Sequence, residues 1–173
     1  MDTAVHETAI AEVSFADVVF ACEPIAALWD ELDGMVALNN EETGGLGLPL
    51  NLDKAKYETL ESLGMLEVHT ARSVRGQSDG VLVGYSCVLI APSMRHAGVV
   101  MAVQDALWLH PSWRHGTTGV RLIKWSDRRL SERGDVYAVM RQSTTQKPIK
   151  PVLARLGYVT AEETMILRLQ EGE

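Results

Sequence analysis

Between residues 65 and 110 the sequence carries three β-rich runs separated by two short turn-forming segments. The runs cover 65–73, 81–90 and 99–110, and the segments between them are rich in Gly, Ser, Asp and Pro, which favour turns. Consecutive strands joined by tight turns pair in an antiparallel manner. This stretch therefore predicts a three-stranded antiparallel meander, which is the strongest constraint on the fold.

The remaining elements are predicted from the spacing of apolar residues. Helices are predicted where these residues recur at spacings of three and four, at 17–38 with a break at Pro24, 52–63, 117–133 and 150–156. Further strands are predicted at 12–15, 136–140 and 164–169, and a Gly-rich loop at 39–49. The sequence thus predicts an α+β (mixed α/β) fold, and its length suits one domain spanning 1–173.

The composition is that of a globular chain. Of the 173 residues 46% are hydrophobic and 23% charged, which is too apolar for a disordered protein. The two cysteines, Cys22 and Cys87, exclude a disulfide framework and favour a reducing compartment. The longest apolar run, 81–92, is too short for a membrane helix, and the acidic N-terminus does not resemble a signal peptide. We therefore expect a cytoplasmic protein with no membrane partner.

Charge is distributed unevenly along the chain. The net charge is −7, but residues 1–110 carry 5 basic and 16 acidic side chains, whereas residues 111–155 carry 10 basic and 3 acidic ones. The acidic total argues against nonspecific nucleic-acid binding, and no clear nucleic-acid site is present. The basic block fits an anion site or a solvated helix face. Near the first helix, a group of acidic residues fits attraction of a cationic amine or a solvated surface: Asp30, Glu31, Asp33, Glu41 and Glu42.

The segment at 105–130 joins a strand to a helix through a loop rich in Gly and Thr. Gly116 and Gly119 flank Thr117 and Thr118 directly before the helix. The start of a helix presents free backbone N–H groups and the positive end of the helix dipole, which together bind anions. The alternative is an ordinary strand-to-helix turn capped by threonine.

The loop residues RHGTTG, from Arg114 to Gly119, resemble the acetyl-CoA signature R/Q-x-x-G-x-G/A of the GNAT superfamily of N-acetyltransferases. Arg114 and Gly119 match it, while Thr117 stands where the first glycine is usual. The preceding LWLHPSWR and the later LARLGYVTAEETMILRL resemble the elements that flank this signature, so the likeness covers roughly 81–169. Arg95-His96 and LPLNLDKAKYETLESLGML resemble GNAT-like proteins encoded by bacteriophages.

The resemblance implies a GNAT-like fold. Its central sheet would be mostly antiparallel, with six to seven strands splayed between the fourth and fifth and flanked by helices. Acetyl-CoA would be the acetyl donor, with its pantetheine arm between those two strands and its pyrophosphate on the loop; Arg121 and Arg128 fit phosphate contacts or a solvated face. The implied cofactor-binding residues are Leu107, Trp108, Leu109, Arg114, His115, Gly116, Thr117, Thr118, Gly119 and Lys124.

Acetyl transfer to an amine requires one group that removes the ammonium proton and another that protonates the leaving thiolate. Asp105 is the candidate base, because GNAT enzymes often place an acidic residue on the strand before the loop; the alternative is a partner-paired aspartate. Ser143 is the candidate acid, since Leu153 occupies the position of the tyrosine that many relatives use. His96 is either an acceptor-pocket residue or a solvated turn histidine.

The sequence leaves several functions open. The first hypothesis is an N-acetyltransferase that moves an acetyl group from acetyl-CoA to a primary amine of a small molecule or a protein lysine by direct attack. The second is a catalytically inactive GNAT-like structural or regulatory phage protein, for which Leu153 and Thr117 argue. The third is acyl transfer from another donor. No metal is expected, because the histidines show no ligand spacing. A phage protein would lie in the host cytoplasm, and a homodimer is a further candidate assembly.

Overall fold

The computed structural model describes residues 17–44, 49–74, 78–167 and 169. In this part of the chain, five strands form one sheet in the order β1-β2-β3-β4-β5. The strands are β1 (Val18–Cys22), β2 (Leu66–Ser73), β3 (Leu82–Pro92), β4 (Val100–Leu109) and β5 (Val136–Met140). The helices are α1 (Trp29–Thr43), α2 (Lys54–Ser62), α3 (Thr118–Glu132) and α4 (Lys150–Arg155). The architecture is the predicted mixture of helices and one sheet.

The central meander is confirmed. Strands β2, β3 and β4 pair in sequence and antiparallel, and β1 adds to the outer edge of β2 in the same sense. Strand β5 instead pairs with β4 in parallel, because α3 carries the chain back across the sheet before β5 begins. The predicted helix before β5 and the predicted strand at 136–140 are also confirmed.

Apolar side chains cover both faces of the sheet. On the face under α1 and α2, here the α1–α2 side, the buried cluster consists of Ile25, Leu28, Leu32, Leu66, Val68, Leu82, Tyr85, Cys87 and Trp108. On the opposite face, the α3 side, two smaller clusters consist of Val18, Ala71, Val83 and Leu122, and of Val88, Ile90, Ala102 and Leu130. Most apolar side chains of β3 and β4 therefore belong to one core or the other. In the described residues no helix has the length and apolar character that crossing a membrane would require.

Two predictions for the first third of the chain are wrong. Residues 18–22 form a strand instead of a helix, because they pair along the whole of β1 from Val18↔Ser73 to Cys22↔His69. The helix begins only after Pro24, at the predicted break, and continues through 39–43, which had been predicted as loop. It ends at Gly44, whose φ of 78° is the left-handed conformation that closes many helices.

The number of strands is lower than expected. The described residues form five strands and not six to seven, and no strand is present in the described part of the predicted one at 164–169. A strand requires a hydrogen-bonded neighbour, whereas Met165, Leu167 and Leu169 are exposed here. The strand predicted at 12–15 and part of the predicted Gly-rich loop lie outside the described residues.

Strands β3 and β4 approach each other closely at Gly84. A Cβ atom built on Gly84 would lie 2.6 Å from Leu109 Cδ1 and 2.9 Å from the backbone oxygen of Trp108. The leucine side chain could move, but the backbone oxygen belongs to the β3–β4 ladder and could not. The sheet therefore needs glycine at this position in order to hold the end of β4 in register.

We predict that Gly84→Ala lowers the free energy of unfolding by about 1–3 kcal/mol, because the added methyl group must push β4 away from β3. Urea unfolding followed by circular dichroism measures this change. The matched control is Gly34→Ala on the exposed face of α1, where no atom lies within 4 Å of the built Cβ. That variant should be neutral or stabilising, since alanine is the better helix former. Equal stability of Gly84→Ala and the wild type would contradict the close contact.

Candidate active site

Strand β4 carries one residue more than β3 at its centre, and that residue is Asp105. Cys87 of β3 faces Ala106 and Val88 faces Gln104, so the register leaves Asp105 unmatched. Such a β-bulge breaks the alternation of side chains, so that two consecutive residues share one face. Asp105 and Ala106 consequently both line a cleft on the α1–α2 side.

The cleft beside Asp105 lies between the sheet and the first two helices. Its walls are mostly apolar and aromatic: Ile25, Trp29, Leu32, Val36, Leu52, Tyr57, Val68, Tyr85, Cys87, Asp105 and Ala106. Among these lining residues Asp105 carries the one carboxylate. The rings of Trp29 and Tyr57 meet edge to face, with centroids 5.9 Å apart. The cleft therefore combines a mostly apolar and aromatic wall with one carboxylate.

The two polar neighbours of Asp105 are hydrogen-bond donors. The Tyr57 hydroxyl donates to Asp105 Oδ2 over 2.9 Å. Burial and the nearby charge of Asp105 raise the pKa of Tyr57, and the same two causes raise the pKa of the Cys87 thiol. Both groups therefore stay protonated at neutral pH. A carboxylate has about four lone-pair directions, so Asp105 keeps acceptor capacity for a further donor.

The predicted loop leads from β4 to α3 through a short 3-10 turn at Pro111–Trp113. Gly116 follows with a φ of 78°, a left-handed conformation that glycine adopts without strain. Thr117 is the N-cap of α3, but its side chain makes no capping hydrogen bond. The first backbone N–H groups of a helix have no acceptor within it. The uncapped start of α3 thus presents donors and a positive dipole end, which fits a phosphate group.

Arg114 is held by a carboxylate at the end of α1. Its Nη2 donates to the two oxygens of Glu42 over 2.7 and 2.9 Å, and its Nε donates to the Leu109 oxygen over 2.7 Å. Its guanidinium carbon lies 5.7 Å from the Trp108 ring centroid. This side chain clamps α1 to the end of β4. A phosphate bound through Nη2 of Arg114 would compete with Glu42.

The other residues predicted to bind the cofactor divide into interior and surface positions. Trp108 and Leu109 are buried, and Leu107 packs against the α3-side core. Because these side chains are enclosed, a ligand could contact these three residues only through their backbone atoms. Thr118 is buried at the start of α3. His115 is exposed on the loop and Lys124 is exposed on α3; the latter lies about 9 Å along the helix from Thr118.

His96 and Ser143 lie away from the loop along the chain. His96 is exposed in the turn between β3 and β4, next to the start of β4 at Val100. About 30 Å of strand separate Val100 from Leu109, so the structure does not bring His96 to the loop. Ser143 Oγ accepts the backbone N–H groups of Ile149 and Lys150 over 2.9 and 3.0 Å, and it thereby fixes the entry into α4. Its hydroxyl hydrogen remains available for donation.

Most of the acidic group near α1 is already paired. The ion pairs are Glu31 with Arg72 at 2.9 Å, Asp33 with Lys54 at 2.7 Å and Glu42 with Arg114 at 2.7 Å. Each of these carboxylates has a cation beside it, which cancels much of the field that the sequence suggested. Asp105, which lines the apolar cleft, is therefore the better candidate for contact with an acceptor amine.

Arg141 holds α3 on the sheet. Its side chain is completely buried, and its Nη2 donates to Ser126 Oγ over 2.9 Å and to Asp127 Oδ1 over 2.6 Å. Its Nη1 donates to Ser86 Oγ over 3.3 Å and its Nε donates to Tyr158 Oη over 2.9 Å. One guanidinium thus joins the end of β5 to β3, α3 and the segment after α4. It thereby ties α3, whose uncapped start fits a phosphate group, to the sheet.

A second buried contact continues this network under α3. His69 Nδ1 lies 2.7 Å from Ser126 Oγ, and His69 Nε2 lies 2.9 Å from Glu67 Oε2. Arg133 Nη1 donates to Glu67 Oε1 over 2.7 Å. Burial by itself would raise the pKa of Glu67, but the hydrogen bonds from His69 and Arg133 outweigh it and lower the pKa to about 2.

Cys22 lies beside this network, although the sequence spacing gave no metal site. Ligand atoms of Cys22, Glu67 and His69 lie within 4.8 Å of one another. The Glu67 oxygens, however, already accept from His69 and Arg133, and Arg129 Nε is 3.7 Å away. Two guanidinium charges oppose a further cation, so the geometry favours an ion-pair network over a metal centre.

Sequence reasoning missed two residues next to Asp105. Tyr57 on α2 is its hydrogen-bond partner, and Gln104 precedes it on β4 with a side chain 8% exposed. Gln104 carried a usable signal, since it is a buried amide in an otherwise apolar strand run. No sequence signal indicated the hydrogen bond between Tyr57 and Asp105, because 48 residues separate them.

Comparison with known proteins finds no matching family model and no similar curated protein. Solved structures are similar in fold. An acetyltransferase from Trypanosoma brucei is 20% identical, with a TM-score of 0.64 over 88% of this chain and 100% of that one. A ribosomal-protein-alanine N-acetyltransferase from Brucella melitensis is 18% identical, with a TM-score of 0.59 over 88% and 99%. A predicted acetyltransferase from Clostridium acetobutylicum, solved with acetyl-CoA, is 11% identical, with a TM-score of 0.65 over 88% and 96%.

The fold is a GNAT fold. The similarity covers 88% of this chain and 99–100% of the two similar chains. At sequence identities of 11–20% the comparison supports the fold but assigns no role to an individual residue. In this fold the segment from Arg114 to Gly119 joins the short 3-10 turn to α3.

We predict that Glu67→Gln lowers the free energy of unfolding at pH 7 by about 2 kcal/mol, because the neutral amide pairs poorly with Arg133. The lowered pKa of Glu67 means that its contribution is complete above about pH 4.5 and is lost as the pH falls toward 2. The variant should therefore lose less stability than the wild type between these pH values. Chemical unfolding at several pH values measures both effects.

Glu162→Gln is the control, since Glu162 is exposed after α4. It should unfold like the wild type at every pH. A Glu67→Gln profile parallel to the wild-type profile from pH 4.5 to pH 2 would contradict the assigned hydrogen bonds.

Proposed function

We propose that this chain is an acetyl-CoA-dependent N-acetyltransferase that acts on a primary amine by direct attack. The observation that carries the proposal is the placement of a carboxylate on β4 and of an uncapped helix start after the loop that follows β4. Asp105 lies at the bulge of β4 and lines the cleft, and the uncapped start of α3 follows the end of the same strand. A candidate proton acceptor and a candidate anion site thus belong to consecutive elements of the chain. The GNAT fold supports the proposal at the level of the superfamily.

The residues of the loop fit the phosphate groups of coenzyme A. Backbone N–H groups from His115 to Gly119 would hold the pyrophosphate, with Lys124 as an additional charge on the exposed face of α3. When bound, acetyl-CoA supplies the thioester that the amine attacks and the thiolate that leaves. The protein contributes the binding site, the orientation of the acceptor and the removal of a proton.

Asp105 would remove the proton that the ammonium form of the acceptor carries. The neutral nitrogen then has a free electron pair, and the proton remains on the carboxyl group. Tyr57 holds Oδ2 by its 2.9 Å hydrogen bond and so fixes the orientation of the carboxylate. This assignment keeps both groups on the α1–α2 side, where the cleft is open to an acceptor.

Ser143 would relay a proton to the leaving thiolate through water, and the proton that the attacking nitrogen loses as the amide forms would restore its hydroxyl group. The N–H groups of Ile149 and Lys150 bond to its oxygen and fix it before α4, on the β5 side of the sheet. Leu153 is buried in α4 and carries no proton to give. His96 would contribute to the acceptor side only through a longer substrate, because it lies at the far end of β4.

The lining of the cleft favours an acceptor with an apolar body. Aromatic and aliphatic side chains surround the single carboxylate, while the acidic residues of α1 that could recognise a polycation are largely paired. A monoamine would bury its apolar part against Trp29 and Leu52 and place its nitrogen at Asp105. A polyamine would leave its further charges without partners there.

We predict that Asp105→Asn lowers kcat/KM for an amine acceptor by about 100-fold at pH 7, because the amide cannot take the proton. The loss should shrink toward pH 10, where more of the amine is already neutral. Release of free thiol from acetyl-CoA, measured with a panel of apolar monoamines and polyamines, follows the reaction. Binding of coenzyme A by the variant should equal that of the wild type.

Asp30→Asn is the matched control, since Asp30 is exposed on α1 and is outside the cleft lining. Its turnover should equal that of the wild type, whereas an equal loss in both variants would indicate a general effect of charge. Unchanged turnover of Asp105→Asn at every pH would remove Asp105 from the mechanism. Tight binding of coenzyme A without thiol release by any amine would favour the inactive structural or regulatory role.

A further inference from the structure

A run of apolar side chains lies uncovered after α4, at residues 165–169. Four of its side chains are 69–91% exposed: Met165, Ile166, Leu167 and Leu169. Soluble monomers scatter single apolar side chains over the surface but rarely leave a run of them in water. None of these residues lines the cleft, so an acceptor bound there does not cover them. The run, here the apolar run, therefore indicates an interaction surface.

The apolar run has the pattern of a strand with one apolar face. Side chains alternate across a strand, so Met165, Leu167 and Leu169 would share one face. Among the described residues the run belongs to no strand and has no hydrogen-bonded neighbour. A strand forms only when a second one supplies these backbone hydrogen bonds. The run thus lacks the partner that its pattern requires.

The free edge of β5 is too short to cover the apolar run within the same chain. Tyr158 is tied to the end of β5, because its Oη accepts from Arg141 Nε over 2.9 Å and Arg141 directly follows Met140. At about 3.3 Å per residue, an antiparallel return along the five residues of β5 uses residues 159–163. The apolar run comes after these and would extend past the beginning of β5 at Val136. A second chain can supply the partner that β5 does not.

The charges beside the apolar run favour a second copy of this chain as that partner. Glu163 is exposed just before the run, whereas Lys150 and Arg155 are exposed on α4. None of the three is in an ion pair among the described residues. A surface that carries unpaired charges of both signs is complementary to itself when a two-fold axis brings it against its copy.

We infer that the apolar run joins two copies of this chain by antiparallel pairing around a two-fold axis. Leu167 is the middle of the run, so the axis places it opposite the partner's Leu167, and Met165 lies opposite the partner's Leu169. The six apolar side chains of the two strands then share one face. This surface goes beyond the proposed function and does not depend on it.

The inferred dimer is a weak one. Two short strands bury less than the roughly 1,200–2,000 Å² of stable interfaces, so we expect a dissociation constant in the micromolar range. Light scattering of the full chain during size-exclusion chromatography tests this. The mass should rise from the 19.0 kDa of one chain toward twice that value as the concentration increases from about 1 to about 100 µM.

Leu167→Glu should raise the dissociation constant at least about tenfold, because two carboxylates would lie opposite each other at the axis. Its melting temperature at the lowest concentration should equal that of the wild type, since Leu167 is 81% exposed in the single chain. Met94→Glu is the matched control, because Met94 is 99% exposed in the turn between β3 and β4. It makes the same chemical change and should leave the dissociation constant unchanged.

A crosslinking experiment tests the two-fold axis. Residues directly opposite each other on antiparallel strands have Cα atoms about 4.5–5.5 Å apart, which suits a disulfide. Leu167→Cys should therefore form a disulfide-linked dimer on mild oxidation. Met94→Cys keeps the same native cysteines and measures the background from the exposed Cys22.

Each of four outcomes would overturn the inference. The first is a wild type that stays monomeric at the highest concentration, and the second is a Leu167→Glu variant that dimerises like the wild type or no worse than Met94→Glu. The third is a dimer in which Leu167→Cys crosslinks no more than Met94→Cys. The fourth is slow amide exchange at 165–169 in the monomer, which would mean that its own chain covers the run. Coenzyme A takes part in none of these measurements, so they are independent of the proposed function.

Discussion

One extra residue in strand β4 determines which side chains face which core. Up to Gln104 the strand alternates in step with β3, and Ala102 faces the α3 side. After the bulge at Asp105 the alternation is reversed, so Trp108 enters the α1–α2 core while Leu107 packs on the α3 side. Without the bulge, the end of β4 would present these side chains to the wrong faces. The lining of the cleft by Asp105 and Ala106 and the contact of Leu109 with Gly84 both depend on this shift.

The second constraint is the attachment of α3. A helix that offers its start to an anion must keep its direction when the anion is absent, and apolar packing alone permits it to slide. Arg141 opposes this, because its buried guanidinium bonds to groups on β3, α3 and the segment after α4. Buried charges are costly to desolvate, but once paired they are also costly to separate. The network around Ser126 and Glu67 therefore exchanges some stability for a fixed helix.

Sequence patterns predicted the elements whose local signals agree with their packing. The meander, α3 and β5 were predicted because turn residues and apolar periodicity coincide there. Strand β1 was not predicted, because its apolar residues continue the helical spacing of the residues that follow. Its extended conformation is determined by pairing with β2. The end of α1 was missed because Asn, Glu and Thr at 39–43 give only a weak indication of helix. In the structure the helix ends at Gly44, its C-cap.

The candidate site divides in the same way. Asp105 and the loop were predicted from the local sequence and from family likeness. The pairing of Arg114 with Glu42, 72 residues away, follows from a tertiary contact that no local pattern encodes. The acidic half of the chain likewise suggested a cationic acceptor, until the structure showed that Asp33 and Glu31 have cationic partners.

The central claim is that one strand carries both the anion site and the proton acceptor, with the donor lying along it. Amide chemical shifts of 15N-labelled protein titrated with coenzyme A test this most directly. We expect one saturable set of changes, at residues 115–120 and at 104–109 of β4, with β1 and the start of β2 unaffected. Saturable changes confined to β1 and β2, or no changes at millimolar coenzyme A, would contradict the account.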